Sequence, residues 1–324
     1  MYDLPPSARP AFSWRALLQL LRLPNVFTAF ADVLLGYLIT HASVDDGITW
    51  GLLLVASGCL YLAGMALNDV FDREIDAIER PQRPIPSGRI ALRTAARTGW
   101  GLLAAGVACT AVVGLRENQS AMFPGTLLIG GALAVMVVAY DGYLKRTPLG
   151  PVGMGGCRTL NVMLGMSAAP LDAWHPMHLW IAAGLGVYVA GLTWFARQEA
   201  TTSRRPQLAM AALVMLGALT ALSQYPRTTD ELLPAFMRPN YAVAETWRWH
   251  ALWLASGALI GHRLLRAILS PTPRHVQLAV KSSILAIVVL DAICCLGVCG
   301  PTPALLMLLL LAPALWLGRW IYST

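Results

Sequence analysis

Long apolar runs, separated by short polar stretches, occupy almost the whole chain. An apolar run of about 17–25 residues is long enough to cross a bilayer as an α-helix. The pattern therefore predicts an all-α fold, a polytopic membrane helical bundle with nine or ten transmembrane helices. The runs lie at about 24–42, 48–70, 92–114, 122–140, 150–170, 178–196, 206–223, 246–266, 276–297 and 303–321.

The number of spans depends on the last run, which follows a Cys-Gly-Pro-Thr-Pro segment at 299–303. Proline interrupts a helix, so this segment is either a tight turn outside the membrane or a kink. Residues 1–15 are polar and rich in proline, without the apolar stretch of a cleavable signal. We expect 1–15 to be a polar cytoplasmic N-terminus and 16–324 to be a single transmembrane domain.

Composition narrows the class of protein. The 324 residues are 56% hydrophobic and 13% charged, with a mean hydropathy of +0.58, whereas soluble domains carry about 25% charged residues. A soluble globular enzyme is therefore excluded. With a cytoplasmic N-terminus and ten spans, twenty of the 24 Lys and Arg residues lie on the cytoplasmic side. The positive-inside rule thus explains the net charge of +7, and we expect no nucleic-acid partner.

The most informative polar segment, NDVFDREID at 68–76, directly follows the second apolar run. Asp69, Asp72 and Asp76 are spaced i, i+3 and i+7, which places them within roughly 60° on one helix. Such carboxylates repel one another unless water or a cation lies between them, and Mg²⁺ prefers oxygen ligands together with substrate phosphates. The segment predicts a site for Mg²⁺ and a diphosphate at the membrane surface. The alternative is a solvated acidic helix end.

Neighbouring residues would complete a diphosphate site. Asn68 can add a carbonyl oxygen, and Arg80 and Arg83 in the Pro-rich loop that follows can bind phosphate as bidentate forks. Membrane topology alone also explains the two arginines, because cytoplasmic loops retain basic residues.

A second polar segment, YDGYLKRT at 140–147, ends the fourth apolar run. Lys145 and Arg146 suit an anionic leaving group, since preplaced cations stabilise the charge that develops on a diphosphate. Tyr140 can line the cavity, with its ring face towards a carbocation. The alternative is a pair of snorkelling basic residues beside an interfacial tyrosine.

Polar residues inside apolar runs are costly in a membrane and tend to face a cavity or a partner. Arg158 and Asn161 lie in the fifth run and Asp32 in the first, with Asn25 two turns before it on the same face. We expect these four residues to contribute to a substrate pocket. A structural hydrogen bond between helices is the alternative for Asp32, and Asp291 in the ninth run raises the same question.

The segment RQEATTS at 197–203 follows the sixth run and contains one carboxylate, Glu199. Glu199 is a candidate metal or substrate ligand. The composition of the segment is equally typical of an ordinary loop.

The segment NDVFDREIDAIERPQRPIPSG resembles the first Asp-rich motif and the following loop of the UbiA superfamily of intramembrane prenyltransferases. YDGYLKRTPLGP resembles the family's Tyr and Lys-Arg segment after the fourth span, and RLPN at 22–25 is similar to the usual start of its first span. The resemblance is clear over about 16–205. Two phrases, PNVFTAFADVLLG and MGGCRTLNVMLG, resemble the divergent branch encoded in bacterial Ebo operons.

This resemblance implies a helical bundle, usually of nine spans, around a central cavity that is open to lipid. It implies two Mg²⁺ ions that hold a polyprenyl diphosphate between two Asp-rich motifs. It also implies a multi-pass protein of the bacterial inner membrane, with its active site facing the cytoplasm. The chain departs from the family at the second motif, where Glu199 is the only carboxylate and Ser203 stands where an acid is expected.

The resemblance and the motifs together predict an Mg²⁺-dependent prenyltransferase of isoprenoid biosynthesis. It would move a polyprenyl group from its diphosphate to a small aromatic or lipophilic acceptor. Asp69, Asp72 and Asp76 would hold the metal, and Lys145 and Arg146 would take up charge as the C–O bond breaks. The alternative is a non-catalytic UbiA-like membrane protein that binds a prenyl or lipid diphosphate, or assists the assembly or export of a metabolite. The altered second motif favours that alternative.

Overall fold

A computed structural model describes residues 13–41, 46–117, 125–197, 203–224 and 247–321. These residues form helices and connecting turns, without a β-strand among them. The helices are α1 (Trp14–Leu20), α2 (Val26–His41), α3 (Gly47–Phe71), α4 (Arg73–Glu79), α5 (Leu92–Arg116), α6 (Gly125–Gly142), α7 (Gly150–Met166), α8 (Pro176–Ala196), α9 (Arg205–Ser223), α10 (Trp247–Leu269), α11 (Pro273–Cys299), α12 (Pro301–Leu308) and α13 (Leu311–Trp320). Short 3₁₀ turns lie at Leu23–Asn25, Leu144–Arg146 and Leu171–Ala173.

The membrane-spanning helices agree with the apolar runs. Within the described ranges, nine helical segments are long and apolar enough to cross a membrane. They comprise α2 with the turn before it, α3, α5, α6, α8, α9, α10, α11 and the α12–α13 pair. The remaining run, at about 150–170, is α7, whose 17 residues extend about 25 Å, and it packs between α2 and α8. The chain is a multi-pass integral membrane protein, and the predicted all-α bundle is confirmed.

The segment before the last run forms a tight turn. Helix α11 ends at Cys299, and Gly300 has a φ of 85°, a left-handed conformation that glycine adopts readily. A further break separates α12 from α13 because Pro313 has no amide hydrogen to donate to Leu309. The last run therefore consists of two short helices.

Helices α2 and α7 are in backbone contact at two glycines. A Cβ atom added to Gly36 on α2 would lie 2.0 Å from the Val162 carbonyl oxygen, and one added to Gly165 on α7 would lie 2.0 Å from the Val33 carbonyl oxygen. Small residues allow membrane helices to approach this closely. The contact holds the polar residues of α2 and α7 in the middle of the bundle.

Two hydrophobic clusters of buried side chains flank this helix pair. One joins α2 and α7 to α3, α5 and α6, and the other joins them to α8, α9, α10 and α11. Because α2 and α7 belong to both clusters, they form the centre of the bundle. The space between the two clusters contains the cavity described below.

The chain enters α2 through a turn of unusual conformation. Arg22 has a φ of 45° and is the only non-glycine residue with positive φ in the described part of the chain. The Leu23–Asn25 turn follows, and α13 packs against that turn. The turn directs the side chains of Arg22 and Asn25 towards α3.

Candidate functional site

A cavity of about 630 Å³ lies among α2, α3, α6, α7, α8 and α11, with its outer end beside α4. Its inner walls are mainly aliphatic, whereas its outer end is charged. Among the described residues, seven basic and three acidic side chains line it. The basic residues are Arg22, Arg80, Arg83, Lys145, Arg146, Arg158 and Arg197, and the acidic ones are Asp72, Asp76 and Glu79. The formal excess of positive charge favours a polyanionic ligand.

Ion pairs divide the three predicted metal ligands into two sets. Arg83 Nη1 donates hydrogen bonds to Asp69 Oδ1 at 3.2 Å and to Asp76 Oδ2 at 2.7 Å, and Arg22 Nη2 donates to Asp69 Oδ1 at 3.1 Å. Asp72 instead contacts Lys145, whose Nζ lies 2.7 Å from Asp72 Oδ2. The described residues contain no group of three His, Cys, Asp or Glu side chains close enough to hold a metal together.

The reason for this division is a bend at Asp72. Helix α3 ends at Phe71 and α4 begins at Arg73, and Asp72 between them has φ −94° and ψ 5°. The expected common face assumed one straight helix through all three carboxylates. The bend leaves Asp69 nearly buried beside Arg83 and directs Asp72 towards the cavity.

The side chains that line this end of the cavity still fit Mg²⁺. Asp72, Asp76 and Asn68 present only oxygen ligands to a cation, and Mg²⁺ commonly takes one or two carboxylates together with water and substrate phosphates. Each of the two carboxylates contacts a basic side chain that also lines the cavity. In a complex of Mg²⁺ with a diphosphate, the metal is positive and the phosphate oxygens are negative. The metal can therefore replace the basic side chain beside each carboxylate, and a phosphate oxygen can replace the carboxylate beside each basic side chain.

Asn68 is oriented by a contact that the sequence did not indicate. Its Nδ2 donates a hydrogen bond to Asp141 Oδ1 at 2.9 Å. Because this bond uses the amide nitrogen, the carbonyl oxygen of Asn68 is the atom that can face a cation. Asp141 belongs to the YDGYLKRT segment, but it is not among the residues that the sequence predicted for the site.

The Lys-Arg segment closes over the end of α3. Lys145 and Arg146 lie in the 3₁₀ turn after α6, and Arg146 Nη2 donates to the Phe71 carbonyl oxygen at 3.2 Å. Tyr140 lines the cavity one turn before them, on α6. The structure therefore brings the two predicted polar segments together at one end of the cavity, with Arg80 on the same rim.

Arg22 is a site residue that sequence reasoning assigned only to topology. Its side chain lines the cavity and contacts Asp69, as described above, and its backbone has a left-handed conformation. The RLPN phrase marked the position, but hydropathy carries no information on such a conformation. Asn25, one turn later, also lines the cavity.

The predicted polar residues of α2 and α7 form one network at the inner end of the cavity. Asn161 Nδ2 donates to Asp32 Oδ2 at 3.0 Å, and Arg158 Nη1 donates to the same oxygen. Ser57 Oγ on α3 donates to Asn161 Oδ1 at 2.8 Å. Arg158 and Asn161 line the cavity, but Asp32 is fully buried behind them. Asp32 thus makes structural hydrogen bonds between helices, which was the alternative to a place in the substrate pocket.

Two predictions concern residues that lie outside the ranges described by the structure. Glu199 lies in 198–202, outside the described residues, as does most of the RQEATTS segment. Residues 1–12 of the polar N-terminus predicted at 1–15 are likewise outside them. Both predictions stay predictions.

Comparison with known protein families identifies the family of the chain. Residues 29–277 match the UbiA prenyltransferase family. The chain belongs to that family. The UbiA match includes the Asp-rich segment, the Lys-Arg turn and Arg158, and it ends before Asp291. The narrower resemblance to the Ebo branch stays a prediction.

Among UbiA relatives, the digeranylgeranylglyceryl phosphate synthase of Methanopyrus kandleri is 35% identical over 163 residues, which cover 48% of this chain and 55% of that protein. The synthase of the same name from Methanothrix thermoacetophila is 40% identical over 137 residues, which cover 41% and 46%. The chain thus spans about half the length of the curated relatives that it matches.

Solved structures share the UbiA fold. A structure of a digeranylgeranylglyceryl phosphate synthase superimposes with a TM-score of 0.59 at 19% identity, covering 88% of this chain and 98% of that one. A UbiA homologue from Archaeoglobus fulgidus, bound to GPP and Mg²⁺, gives a TM-score of 0.51 at 15% identity, with 84% and 99% covered. At these identities the similarity establishes the fold alone.

Proposed function

We propose that this UbiA-family member is an Mg²⁺-dependent intramembrane prenyltransferase. It would transfer a prenyl group from its diphosphate to a lipophilic acceptor. The observation that carries the proposal is the cavity itself, in which a rim of basic and acidic side chains stands over an aliphatic interior. A prenyl diphosphate has the same two parts, a polyanionic head and an apolar tail. The GPP and Mg²⁺ bound to the Archaeoglobus homologue support this assignment.

The rim would bind the diphosphate head. Arg80 and Arg83 can hold phosphate oxygens as planar forks, and Asp72, Asp76 and Asn68 would hold Mg²⁺. The bound metal would neutralise negative charge on the diphosphate and so make it a better leaving group. Arg83, which contacts Asp69 and Asp76, can exchange a carboxylate for a phosphate oxygen without leaving the rim.

Bond cleavage would occur where the Lys-Arg turn meets α3. As the bond between the first prenyl carbon and the diphosphate oxygen breaks, the electron pair leaves with the diphosphate. Lys145 and Arg146 would stabilise that charge from the poorly hydrated rim, where fixed cations act most strongly. Tyr140 would present its ring to the allylic carbon, which becomes positive.

The aliphatic walls would hold the tail and limit the access of water to the reacting carbon. Leu60, Leu133, Val137, Val189 and Ile287 contribute to these walls. Water would otherwise capture the allylic cation, so its exclusion favours transfer to the acceptor. The acceptor is proposed to be small and aromatic, or a glycerol phosphate lipid of the kind named in the relatives.

Basic residues between the end of α3 and the first turns of α5 support a cytoplasmic orientation of the rim. Arg73, Arg80, Arg89, Arg93 and Arg97 all follow α3 or begin α5, and such residues are retained on the cytoplasmic side. We therefore propose a multi-pass protein of the bacterial inner membrane with the rim facing the cytoplasm.

A second candidate function rests on the RQEATTS segment. Glu199 is its only carboxylate, so a second metal has fewer ligands than an Asp-rich motif would offer. A non-catalytic protein that binds a prenyl or lipid diphosphate would keep the first motif and lose turnover.

Diphosphate release distinguishes the two functions. The full chain in detergent would receive farnesyl or geranylgeranyl diphosphate with Mg²⁺, with and without a membrane extract as the source of acceptor. We expect release that requires Mg²⁺ and extract, and that falls by about a hundredfold in Asp72→Ala, as for loss of one preorganised electrostatic group. Glu74→Gln is the matched control, because Glu74 lies two residues away with its side chain 81% exposed. Donor binding without release in any extract would support the non-catalytic function.

A further inference from the structure

Four basic side chains lie on the outside of the bundle, away from the cavity. They are Arg263 and Arg266 on α10 and Arg274 and Lys281 on α11, and all four are exposed. We call these residues the outer basic group. None of them lines the cavity, and the proposed transfer chemistry gives them no role.

The outer basic group has no counter-ions within the described part of the chain. Residues 247–290, which include both helices up to that point, contain no Asp or Glu. None of the four side chains forms an ion pair or a hydrogen bond with another described residue. The rim differs, because Arg83 and Lys145 contact carboxylates there. The four positive charges are therefore available to an anion from outside the chain.

Hydrogen bonds join the ends of three helices beside this group. Arg205 Nη2 at the start of α9 donates to the Leu269 carbonyl oxygen at 3.0 Å. His275 Nδ1 on α11 lies 3.0 Å from the Ser270 carbonyl oxygen, and α10 packs against α11. The basic residues of α10 and α11 thus lie on two packed helices, on either side of the turn at 270–272.

Two members of the group lie inside membrane spans. Arg263 lies six residues before the end of α10 at Leu269, which corresponds to ~9 Å along the axis. Lys281 lies eight residues after the start of α11 at Pro273, which corresponds to ~12 Å. Both helices are long and apolar enough to cross a membrane.

The positive-inside rule does not account for these two positions. It explains basic residues in the loops that connect spans. A charged side chain exposed to lipid within a span is costly, unless its long stem lets the charge reach the level of the lipid head groups. Arg263 and Lys281 therefore need an anion at that level.

The helix faces that carry the basic residues also carry exposed leucines. Leu259 lies four residues before Arg263 and is 69% exposed, and Leu278 lies three residues before Lys281 and is 44% exposed. Residues three or four apart share a helix face. Cations beside exposed apolar side chains match an amphiphile that has an anionic head and acyl chains.

We propose that the outer basic group is a binding site for an anionic phospholipid. The head-group phosphate contacts the basic side chains of α10 and α11, and the acyl chains lie along the exposed leucines. A membrane lipid is the ligand, and not free phosphate, because Arg263 and Lys281 lie within the spans. Each Lys or Arg near a membrane surface strengthens binding of anionic lipid by about fivefold.

Lipid retention by the full chain tests this site. The purified protein in a neutral detergent receives phosphatidylglycerol or phosphatidylcholine with the same acyl chains, and native mass spectrometry counts the lipids that stay bound. We expect phosphatidylglycerol to be retained and phosphatidylcholine to be lost. Glycerol 3-phosphate, which carries the phosphate without acyl chains, should bind much more weakly than phosphatidylglycerol.

Variants locate the bound lipid. Arg263→Gln should weaken the binding of phosphatidylglycerol by about fivefold, and its combination with Lys281→Gln by roughly twentyfold. Arg263→Lys keeps the charge and should retain the affinity within about twofold. The matched control is Arg93→Gln, which removes one exposed arginine from the first turn of α5 and should leave the affinity unchanged.

Three results would overturn the site. Equal retention of the two lipids would show that the head-group charge is not recognised. The same loss of affinity in Arg93→Gln as in Arg263→Gln would show a general attraction by net charge instead of a site on α10 and α11. Glycerol 3-phosphate that binds as tightly as phosphatidylglycerol would remove the membrane lipid as the ligand. These outcomes do not depend on turnover, so they leave the proposed transferase untouched.

Discussion

The buried pair of Asp32 and Arg158 gives a quantitative test of the bundle. Asp32→Leu keeps a side chain of similar size but removes the carboxylate. Arg158, whose side chain is 9% exposed, then keeps its charge without the carboxylate that balances it. Asp291 lies near both Asp32 and Arg158 but accepts no hydrogen bond from Arg158 in the described structure, so no existing hydrogen bond replaces those that Asp32 accepts.

The magnitude follows from the two hydrogen bonds that Asp32 accepts, from Arg158 and Asn161. Bonds to a charged group contribute about 1.5–3 kcal/mol each, so their loss predicts a cost of about 3–6 kcal/mol. Removal of one partner of a buried ion pair costs about 3–5 kcal/mol in general. We therefore expect Asp32→Leu to lower the free energy of unfolding by about 4 kcal/mol.

Equilibrium unfolding in detergent, followed by the loss of helical signal, measures this cost. The matched variant is Asp32→Leu combined with Arg158→Met, because it replaces both charges by apolar groups. It should recover most of the lost stability, since a buried ion pair adds little over an apolar pair. Asp291→Asn, which keeps a neutral polar group, should change stability by less than about 1 kcal/mol. A double variant as unstable as Asp32→Leu would refute the reasoning, because unbalanced charge would not be the cause.

Three further outcomes follow from the same structure. Gly165→Ala places a methyl group against the Val33 carbonyl oxygen and should lower the free energy of unfolding by about 1–3 kcal/mol through overpacking. The control is Gly51→Ala, because Gly51 has open space around it. Equal unfolding curves for the two variants would contradict the close helix contact. Lys145→Ala should lower the rate of diphosphate release by about a hundredfold while donor binding weakens less, and an unchanged rate in single-turnover assays would remove Lys145 from bond cleavage. Chelation of Mg²⁺ by EDTA should abolish diphosphate release and added Mg²⁺ should restore it; release that persists in EDTA would contradict metal dependence.

The sequence was sufficient for the helices and for much of the rim. Apolar runs determine which segments span a membrane, and the described helices follow them closely. Asn68, Asp72 and Lys145 belong to two phrases that the structure brings together. Both segments were recognisable because they resemble motifs of the UbiA family.

Other features depend on conformation and on contacts between distant residues. The three carboxylates do not share the expected common face because the chain bends at Asp72. The spacing of the residues predicts a common face only for a straight helix. Arg22, which contacts Asp69, has a left-handed backbone conformation that sequence patterns did not indicate. Asp32 lies on α2 and its partner Arg158 lies on α7. The sequence of either run alone does not show which residue of the other run it pairs with.

The position of α11 also bears on how the protein is made. Val280, Ile284 and Ile287 of this late helix form part of the cavity wall, and α13 packs against the turn that follows Arg22. Synthesis proceeds from the N-terminus, and earlier segments fold first. A nascent chain that has inserted α2 to α10 therefore has the rim in place but an open groove instead of a pocket. The pocket for the proposed donor would therefore be complete only after the last helices enter the membrane.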